Sequence, residues 1–368
     1  MGAGLDRCGS FRYVSDCPRG PALRYCRQGL LPVRPQGGIM RITMNRKWVI
    51  YIIGLIILLA LIVMPLTRLS GFWIRTITYL FLLIVLAQGW NFIGGYTGYA
   101  AFGNVAFFGL GGYGTALLMT KSSWPFFPAM FVGGLIAALY AVLIGLPVLR
   151  LRGHYFAIAT LGVAEATREV VAFWTPVTGG PAGITLPFFR PVSASGPFFY
   201  YLALGLVLLS WLITVSLVRS KLGYGLIAIR EDEDAAKMLG INTTWAKVAA
   251  FALSAFVTGL AGGHSAYWNT FILPEEVFNI QYSLAGILST VLGGPGTALG
   301  PILGAAIYDL VSTYLTFGLN LGQFHVTILG VFIVLVIIFA PRGVTDFFRG
   351  GRRFSLSALL ENVRENRV

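Results

Sequence analysis

The densest set of reactive side chains is a run of four acids, Glu231–Asp234, inside a long hydrophilic stretch over 219–247. Ala235–Leu239 follow it and predict a short amphipathic helix. That helix should end at Gly240, because glycine readily takes the left-handed conformation that stops a helix. Acids at a helix start are stabilised by the positive end of its dipole. The run predicts either a solvated loop that caps a helix or a short helix that docks into a groove on a partner.

A second set of charges lies inside an apolar segment. Glu165, Arg168 and Glu169 are spaced so that one face of a helix can carry all three. Charges within a membrane helix are costly and usually face the bundle interior or a water-filled cavity. The set is consistent with an internal ion pair, with a role in substrate binding or gating, or with a proton relay. Asp309 is the other lone acid in an apolar segment.

Sites for enzymatic or metal chemistry are missing from the sequence. No Gly-Lys dipeptide occurs, so there is no phosphate-binding loop of the GxxxxGK[ST] type, and neither GxSxG nor HExxH appears. His264 has no second ligand at metal-binding spacing. The nine-residue spacing of Cys8, Cys17 and Cys26 matches no common zinc pattern. We therefore expect no catalytic residue, no metal and no cofactor.

The composition indicates which kind of secondary structure carries these side chains. Of 368 residues, 56% are hydrophobic and 11% are charged, against about 25% charged in ordinary soluble domains. The mean hydropathy is +0.77. Several apolar runs approach the roughly 20 residues that a helix needs to cross a bilayer. The sequence predicts an all-α polytopic membrane protein, and the net charge of +13 is interpreted as membrane orientation rather than nucleic-acid binding.

The apolar runs predict eight to ten transmembrane helices. Two of these runs, 284–292 and 298–315, are separated by the sequence GGPGT. The count is ten if they are two separate helices, and eight or nine if they form one re-entrant unit. The predicted spans are 48–66, 76–93, 94–120, 126–149, 154–174, 198–218, 248–270, 284–292, 298–315 and 324–340.

Charge asymmetry predicts the orientation. With ten crossings and the N-terminus inside, sixteen of the basic residues after position 39 fall inside, and only Arg68, Arg75, Lys121 and Arg190 fall outside. Both termini and 219–247 are then cytoplasmic, and 175–197 is periplasmic.

Three regions are predicted along the chain. Residues 1–39 form a disordered basic extension that lacks the apolar core of a signal peptide. Met40 and Met44 are followed by a basic stretch and an apolar run, which suggests that residues 1–39 are an artefact of an upstream start site. Residues 40–345 form the transmembrane domain with its cytoplasmic loop, 219–247. Residues 346–368 form a basic cytoplasmic tail.

Five motifs carry a resemblance to a known family. They are GGYTGYAAFGNVAFFGLGGYGT (94–115), LRGHYFAIATLGVAEATREVV (151–171), TGGPAGI (178–184), VLGGPGTALGPILGA (291–305) and FAPRGV (339–344). In this order, and with the acid-rich loop, they resemble the permeases of ABC importers for branched-chain and other hydrophobic amino acids, from about residue 48 to 345. The LRGxYFAI element resembles the M-type subunit. Departures at Ala101 or Phe102, at Val163–Glu165 and at Gly223-Tyr224 leave the substrate open.

The resemblance implies an ABC importer permease fold with glycine-broken helices, in a multi-pass protein of the cell inner membrane. It implies a second homologous permease subunit, two cytoplasmic ABC ATPase subunits, a periplasmic substrate-binding protein and membrane lipid as partners, with no nucleic acid. The residues predicted to couple to the ATPases are Arg230, Glu231, Asp232, Glu233, Asp234, Ala236, Leu239 and Gly240. The residues predicted to line the translocation pathway are Gly98, Gly103, Glu165, Arg168, Gly179, Gly180, Gly293 and Gly294.

Two rival functions stay open on the sequence. A urea or short-amide importer of the same superfamily shares most of these motifs. A proton-driven secondary carrier would use Glu165 and Asp309, but it would not require an acid-rich cytoplasmic helix. A purely structural membrane protein is a weaker alternative, because glycine breaks and buried charge suit a moving pathway.

Overall fold

The computed structural model describes residues 54, 56, 58–67, 70–189, 195–318, 330–331 and 343–345. The chain divides into two compact units, Met1–Met64 and Pro65–Val368. The described residues of the first unit are helical, and all that follows concerns the second. The predicted extension 1–39 and tail 346–368 lie outside the described residues, as do part of the predicted span 48–66 and most of the predicted span 324–340.

The second unit is built almost entirely of helices. Its helices are α1 Gly71–Trp90, α2 Asn104–Lys121, α3 Phe126–Val148, α4 His154–Phe173, α5 Thr175–Thr178, α6 Ser195–Val218, α7 Lys221–Glu231, α8 Glu233–Met238, α9 Thr243–Asn269, α10 Pro274–Val277, α11 Ile280–Gly293 and α12 Gly300–Thr313. Wider π turns follow α1 over Asn91–Gly95 and α12 over Tyr314–Gly318. Short 3-10 turns cover Met64–Thr67 and Gly180–Ala182.

Four elements in the described part of the chain are long and apolar enough to cross a membrane. They are α1 with its π turn (Gly71–Gly95), α3, α6 and α9. The chain is an all-α polytopic membrane protein, as predicted. The count of eight to ten crossings stays a prediction.

Of these four elements, α1 and α9 are mostly buried, whereas α3 and α6 are largely exposed. α3 presents Leu135, Leu139 and Leu143 outward, as expected of a helix that faces lipid. α9 packs closely against α2, because Gly262 lies where any side chain would collide with the Phe108 carbonyl oxygen. Small residues at such contacts allow membrane helices to approach closely. α9 therefore lies at the centre of the described bundle, where it packs against α2, α3 and α1.

A small two-stranded sheet ties the loop after α4 to the end of α9. β1 (Ile184–Thr185) pairs antiparallel with β2 (Phe271–Ile272), with Ile184 opposite Ile272. The TGGPAG turn before β1 needs glycine, because Gly179, Gly180 and Gly183 all have positive φ.

The two apolar pieces around GGPGT are separate helices, α11 and α12, joined by a six-residue loop. Each has 14 residues, which at 1.5 Å per residue is about 21 Å. That is shorter than the roughly 30 Å of a bilayer core. The two helices pack against each other as a hairpin.

Candidate functional site

The acid-rich segment folds into two short helices whose ends are capped by its own polar side chains. Ser220 accepts a hydrogen bond from the Gly223 backbone N–H at 3.2 Å and starts α7. Asp232 accepts from the backbone N–H groups of Asp234 (2.8 Å) and Ala235 (3.0 Å) and starts α8. Gly240, at φ +80°, ends the turn. The predicted short helix is present, and it begins at Glu233 because the cap lies at Asp232.

Glu233 is the centre of a buried ion pair behind α8. Its Oε1 accepts from Lys247 Nζ at 3.0 Å and lies 3.3 Å from Lys237 Nζ. Its Oε2 accepts from the Tyr99 hydroxyl. The Glu233 side chain is 12% exposed and that of Lys247 is 3% exposed. Glu233 thus joins α8 to the first turn of α9 and to the loop before α2.

The Lys247 ammonium has three N–H groups, and each finds an acceptor. Besides Glu233, they reach the Tyr99 hydroxyl at 3.1 Å and the Leu149 carbonyl at 3.0 Å. A buried charge is tolerated only when it is paired and hydrogen-bonded in this way. The pair therefore fixes the relative positions of α8, α9 and the end of α3.

A second ion pair lies on the surface beside the first. Arg152 donates two hydrogen bonds to Asp234, at 2.8 and 3.1 Å, and both side chains are more than half exposed. The Arg152 and Lys237 hydrogen bonds lower the pKa of Asp234 to about 2. Burial alone would raise the pKa of Glu233, but hydrogen bonds from Tyr99 and Lys247 lower it to about 2. Both carboxylates are thus ionised near neutral pH.

The outer face of this segment is apolar. Met238 is 90% exposed and Leu239 is 79% exposed, and Tyr224 and Trp245 are exposed on neighbouring turns. Ala236 was expected to contact a partner together with Leu239, but it is 1% exposed. That expectation is wrong for Ala236, because it packs inward and leaves Met238 and Leu239 as the outward side chains of α8.

Arg230 connects the helix pair to both glycine-rich breaks. Its guanidinium donates to the Gly95 carbonyl at 3.0 Å, in the π turn that ends α1. In the same region, Asn91 donates to the Thr297 carbonyl at 3.0 Å and accepts from the Gly296 N–H at 2.9 Å. The loop between α11 and α12 is therefore clamped to the end of α1.

The predicted pathway residues do not gather at one place. Gly98 lines a cavity of about 540 Å³ beside Arg230, and Gly103 packs against Thr160 of α4. Gly179 and Gly180 form the turn before β1, and Gly293 and Gly294 form the bend of the α11–α12 hairpin.

Arg168 lies 2.5 Å from Glu165 and 2.7 Å from Glu169, so one face carries all three as predicted. All three are partly exposed. The cluster is therefore on the surface of α4, not internal. Its place in a pathway stays a prediction.

Sequence reasoning missed Tyr99, Arg152 and Lys247 as parts of the site. Lys247 was assigned to the hydrophilic stretch between spans, although it lies inside α9. A lysine in the first turns of an apolar helix, close in sequence to a run of acids, was the available signal. In the described part of the chain, no cluster of His, Cys, Asp or Glu could hold a metal ion.

Membrane helices that are interrupted by glycine-rich breaks are typical of transport proteins, and here such a bundle carries a short, ion-paired helix that presents apolar side chains. The chain belongs to the family described as branched-chain amino acid transport system / permease component, which matches residues 72–340. It is therefore a permease component of an ABC transporter that associates with other subunits, and it is an integral membrane protein rather than an enzyme.

Relatives of known description agree with this family. The chain is 34% identical over 303 residues to the high-affinity branched-chain amino acid transport system permease protein LivM of Salmonella typhimurium, covering 75% of this chain and 70% of the relative. It is 35% identical, with the same coverage, to the Escherichia coli protein of that name. It is 29% identical over 197 residues to the autoinducer 2 import system permease protein LsrC of Salmonella paratyphi B, covering 50% and 54%. No solved structure gives a significant match.

Proposed function

We propose that this chain is the M-type permease subunit of an ABC importer that moves branched-chain or other hydrophobic amino acids across the inner membrane, powered by separate ATPase subunits. The observation that carries this proposal is α8. It holds Met238 and Leu239 outward while Glu233 and Lys247 anchor it from behind. Exposed apolar groups in a polar segment are typical of interaction sites. A six-residue helix is marginal alone in water, so this one depends on its anchor and on a partner.

The anchor gives a route by which motion of a docked ATPase reaches the membrane. Lys247 lies near the start of α9, and Gly95, held by Arg230, lies just past the end of α1. Among the four elements long enough to cross a membrane, α1 and α9 are the most buried. A displacement of the α7–α8 pair therefore reaches these two helices, and also the end of α3, because Lys247 bonds the Leu149 carbonyl.

The proposed orientation puts α7 and α8, and both termini, in the cytoplasm. It rests on the excess of basic residues at that end and on their scarcity at the other. The proposed partners are a second homologous permease, two ATPase subunits bound at the α8 face and a periplasmic substrate-binding protein. The names of the LivM relatives support branched-chain amino acids as the substrate.

The test is leucine uptake and ATP hydrolysis in vesicles that contain the complete transporter. Replacing Met238 and Leu239 together by Glu should abolish ATP-dependent uptake and release the ATPase subunits, while the permease still inserts. Lys221→Glu is the matched control, because it adds the same side chain at an exposed site of the same segment. Uptake without ATPase subunits, or full uptake by the double variant, would overturn the proposal and favour the proton-driven carrier.

A further inference from the structure

A cavity of about 500 Å³ lies among α1, α2, α9, α11 and α12. Its volume is within the range of small-molecule sites, roughly 300–1,000 Å³. Leu82, Leu83 and Leu86 of α1 and Phe108 of α2 give it an apolar wall. None of these residues takes part in the α7–α8 site.

Two opposite charges line this cavity. Asp309 of α12 is 8% exposed, and within the described residues no hydrogen bond or ion pair engages its carboxylate. Arg75 of α1 is exposed, and its guanidinium lies over the Trp268 ring at 5.7 Å from the centroid. Burying an unpaired charge is costly. The buried acid therefore favours a ligand that brings a cationic group.

The lining also suits the rest of a small zwitterion. The aromatic rings of Tyr79, Tyr282 and Trp268 flank the charges, and such rings attract an ammonium group. Arg75, being exposed, lies nearer the opening than the buried Asp309. A carboxylate at Arg75 and an ammonium at Asp309 would leave an aliphatic side chain against the leucines.

We propose that this cavity is a binding site for a free hydrophobic amino acid, with Asp309 holding the ammonium group and Arg75 the carboxylate. This inference rests on the proposed function and names where its substrate is held. A simple anion would be repelled by Asp309, and a simple cation by Arg75. A neutral amide such as urea would leave both charges unpaired.

The position of the cavity connects it to the α7–α8 site. Arg75 lies near the start of α1, and Trp268 lies near the end of α9. Arg230 and Lys247 hold the opposite ends of these same two helices. A shift of α1 against α9 therefore changes the cavity walls and the α8 anchor together.

The first test maps the site directly in the complete, detergent-purified transporter. A leucine analogue with a side-chain diazirine is photolysed on the protein, and the labelled peptides are identified by mass spectrometry. Label is expected on the peptides that contain Tyr79 or Tyr282. Excess leucine should suppress it, whereas leucinamide and 4-methylpentanoate, which each lack one charge, should not. Label confined to other segments would overturn the proposal.

The second test measures transport in vesicles. Asp309→Asn should lower the maximal rate of leucine uptake at least tenfold with the subunits still assembled and ATP still hydrolysed, and Asp309→Glu should recover part of it. Glu275→Gln is the matched control, because this acid is exposed and outside the cavity. Uptake by Asp309→Asn above half the unmodified rate would overturn the proposed binding site but leave the proposed function standing. Failure of the unmodified complex to take up any amino acid with ATP would instead overturn the proposed function, and the site with it.

Discussion

The buried Glu233–Lys247 pair makes a sharp prediction for the substitution Glu233→Gln. Glutamine keeps the shape and one acceptor oxygen but removes the negative charge. Lys247 would then stay buried with neutral acceptors only: the glutamine amide oxygen, the Leu149 carbonyl and the Tyr99 hydroxyl. We expect α8 to open locally while the rest of the bundle stays folded, because the anchor joins α8 to helices that have many other contacts.

The size of the effect follows from burial. Removing one partner of a buried ion pair costs about 3–5 kcal/mol. The lower end, about 3 kcal/mol, applies because Glu233 keeps some solvent contact and glutamine can still accept a hydrogen bond. At 1.4 kcal/mol per factor of ten, opening of α8 should become about 100-fold more frequent.

Hydrogen exchange of the α8 backbone measures this opening. The amides of Leu239, Gly240 and Ile241 donate to carbonyls within the turn, at 2.9–3.1 Å, so they exchange only when α8 opens. They should exchange about 100-fold faster in Glu233→Gln, and coupling of ATP hydrolysis to uptake should fall. Glu231→Gln is the matched control, because Glu231 is exposed and makes no ion pair among the described residues.

The pH dependence gives an independent check on the same pair. The pKa of Glu233 falls from 4.5 to about 2, so its charge stabilises the fold fully above about pH 4.5. That stabilisation is lost as the pH falls toward 2. The protection factors of these amides, which compare the exchange rate with the intrinsic rate at the same pH, should fall in the unmodified protein over this window and reach those of Glu233→Gln. Less than a threefold difference at pH 7 would refute the anchoring role.

Three further predictions concern the backbone, packing and orientation. Gly240→Val should weaken the α8 turn by about 1–2 kcal/mol, because residue 240 has a left-handed conformation that valine adopts poorly. Gly240→Asn should have a smaller effect, and hydrogen exchange of the α8 amides measures both. Gly262→Ala should lower the free energy of unfolding by about 1–3 kcal/mol through overpacking against α2. Gly205→Ala, which meets open space, should change the free energy of unfolding little, and thermal unfolding of the two variants in detergent compares them. With the three native cysteines replaced, Ser122→Cys should be labelled from outside intact cells and Thr244→Cys should not; the reverse pattern would invert the proposed orientation.

The lipid-facing helices were the most predictable part of the fold. The spans predicted over 126–149 and 198–218 match α3 and α6 within a few residues. Each is a long apolar run that an arginine follows closely, at Arg150 and at Arg219. A helix with one environment along its whole length can be predicted from composition alone.

The broken and central helices were less predictable because distant contacts define them. One span was predicted over 94–120, yet the chain turns through Gly95 and begins α2 only at Asn104. The turn is held by Asn91, whose partners lie about 205 residues further along the chain. α9 begins at Thr243 rather than 248, because Asn242 caps it and Glu233 neutralises Lys247. No local pattern reveals such pairings.

The four acids of the run have four different roles, and this decides which variants test docking. Glu231 is exposed, Asp232 caps α8, Glu233 is the buried anchor and Asp234 pairs with Arg152 at the surface. Replacing all four by alanine would remove a cap worth about 1 kcal/mol and break the buried pair at the same time. The helix would be lost whether or not an ATPase binds there. Met238 and Leu239 face outward and support nothing behind them, so only their replacement separates loss of the partner from loss of the helix.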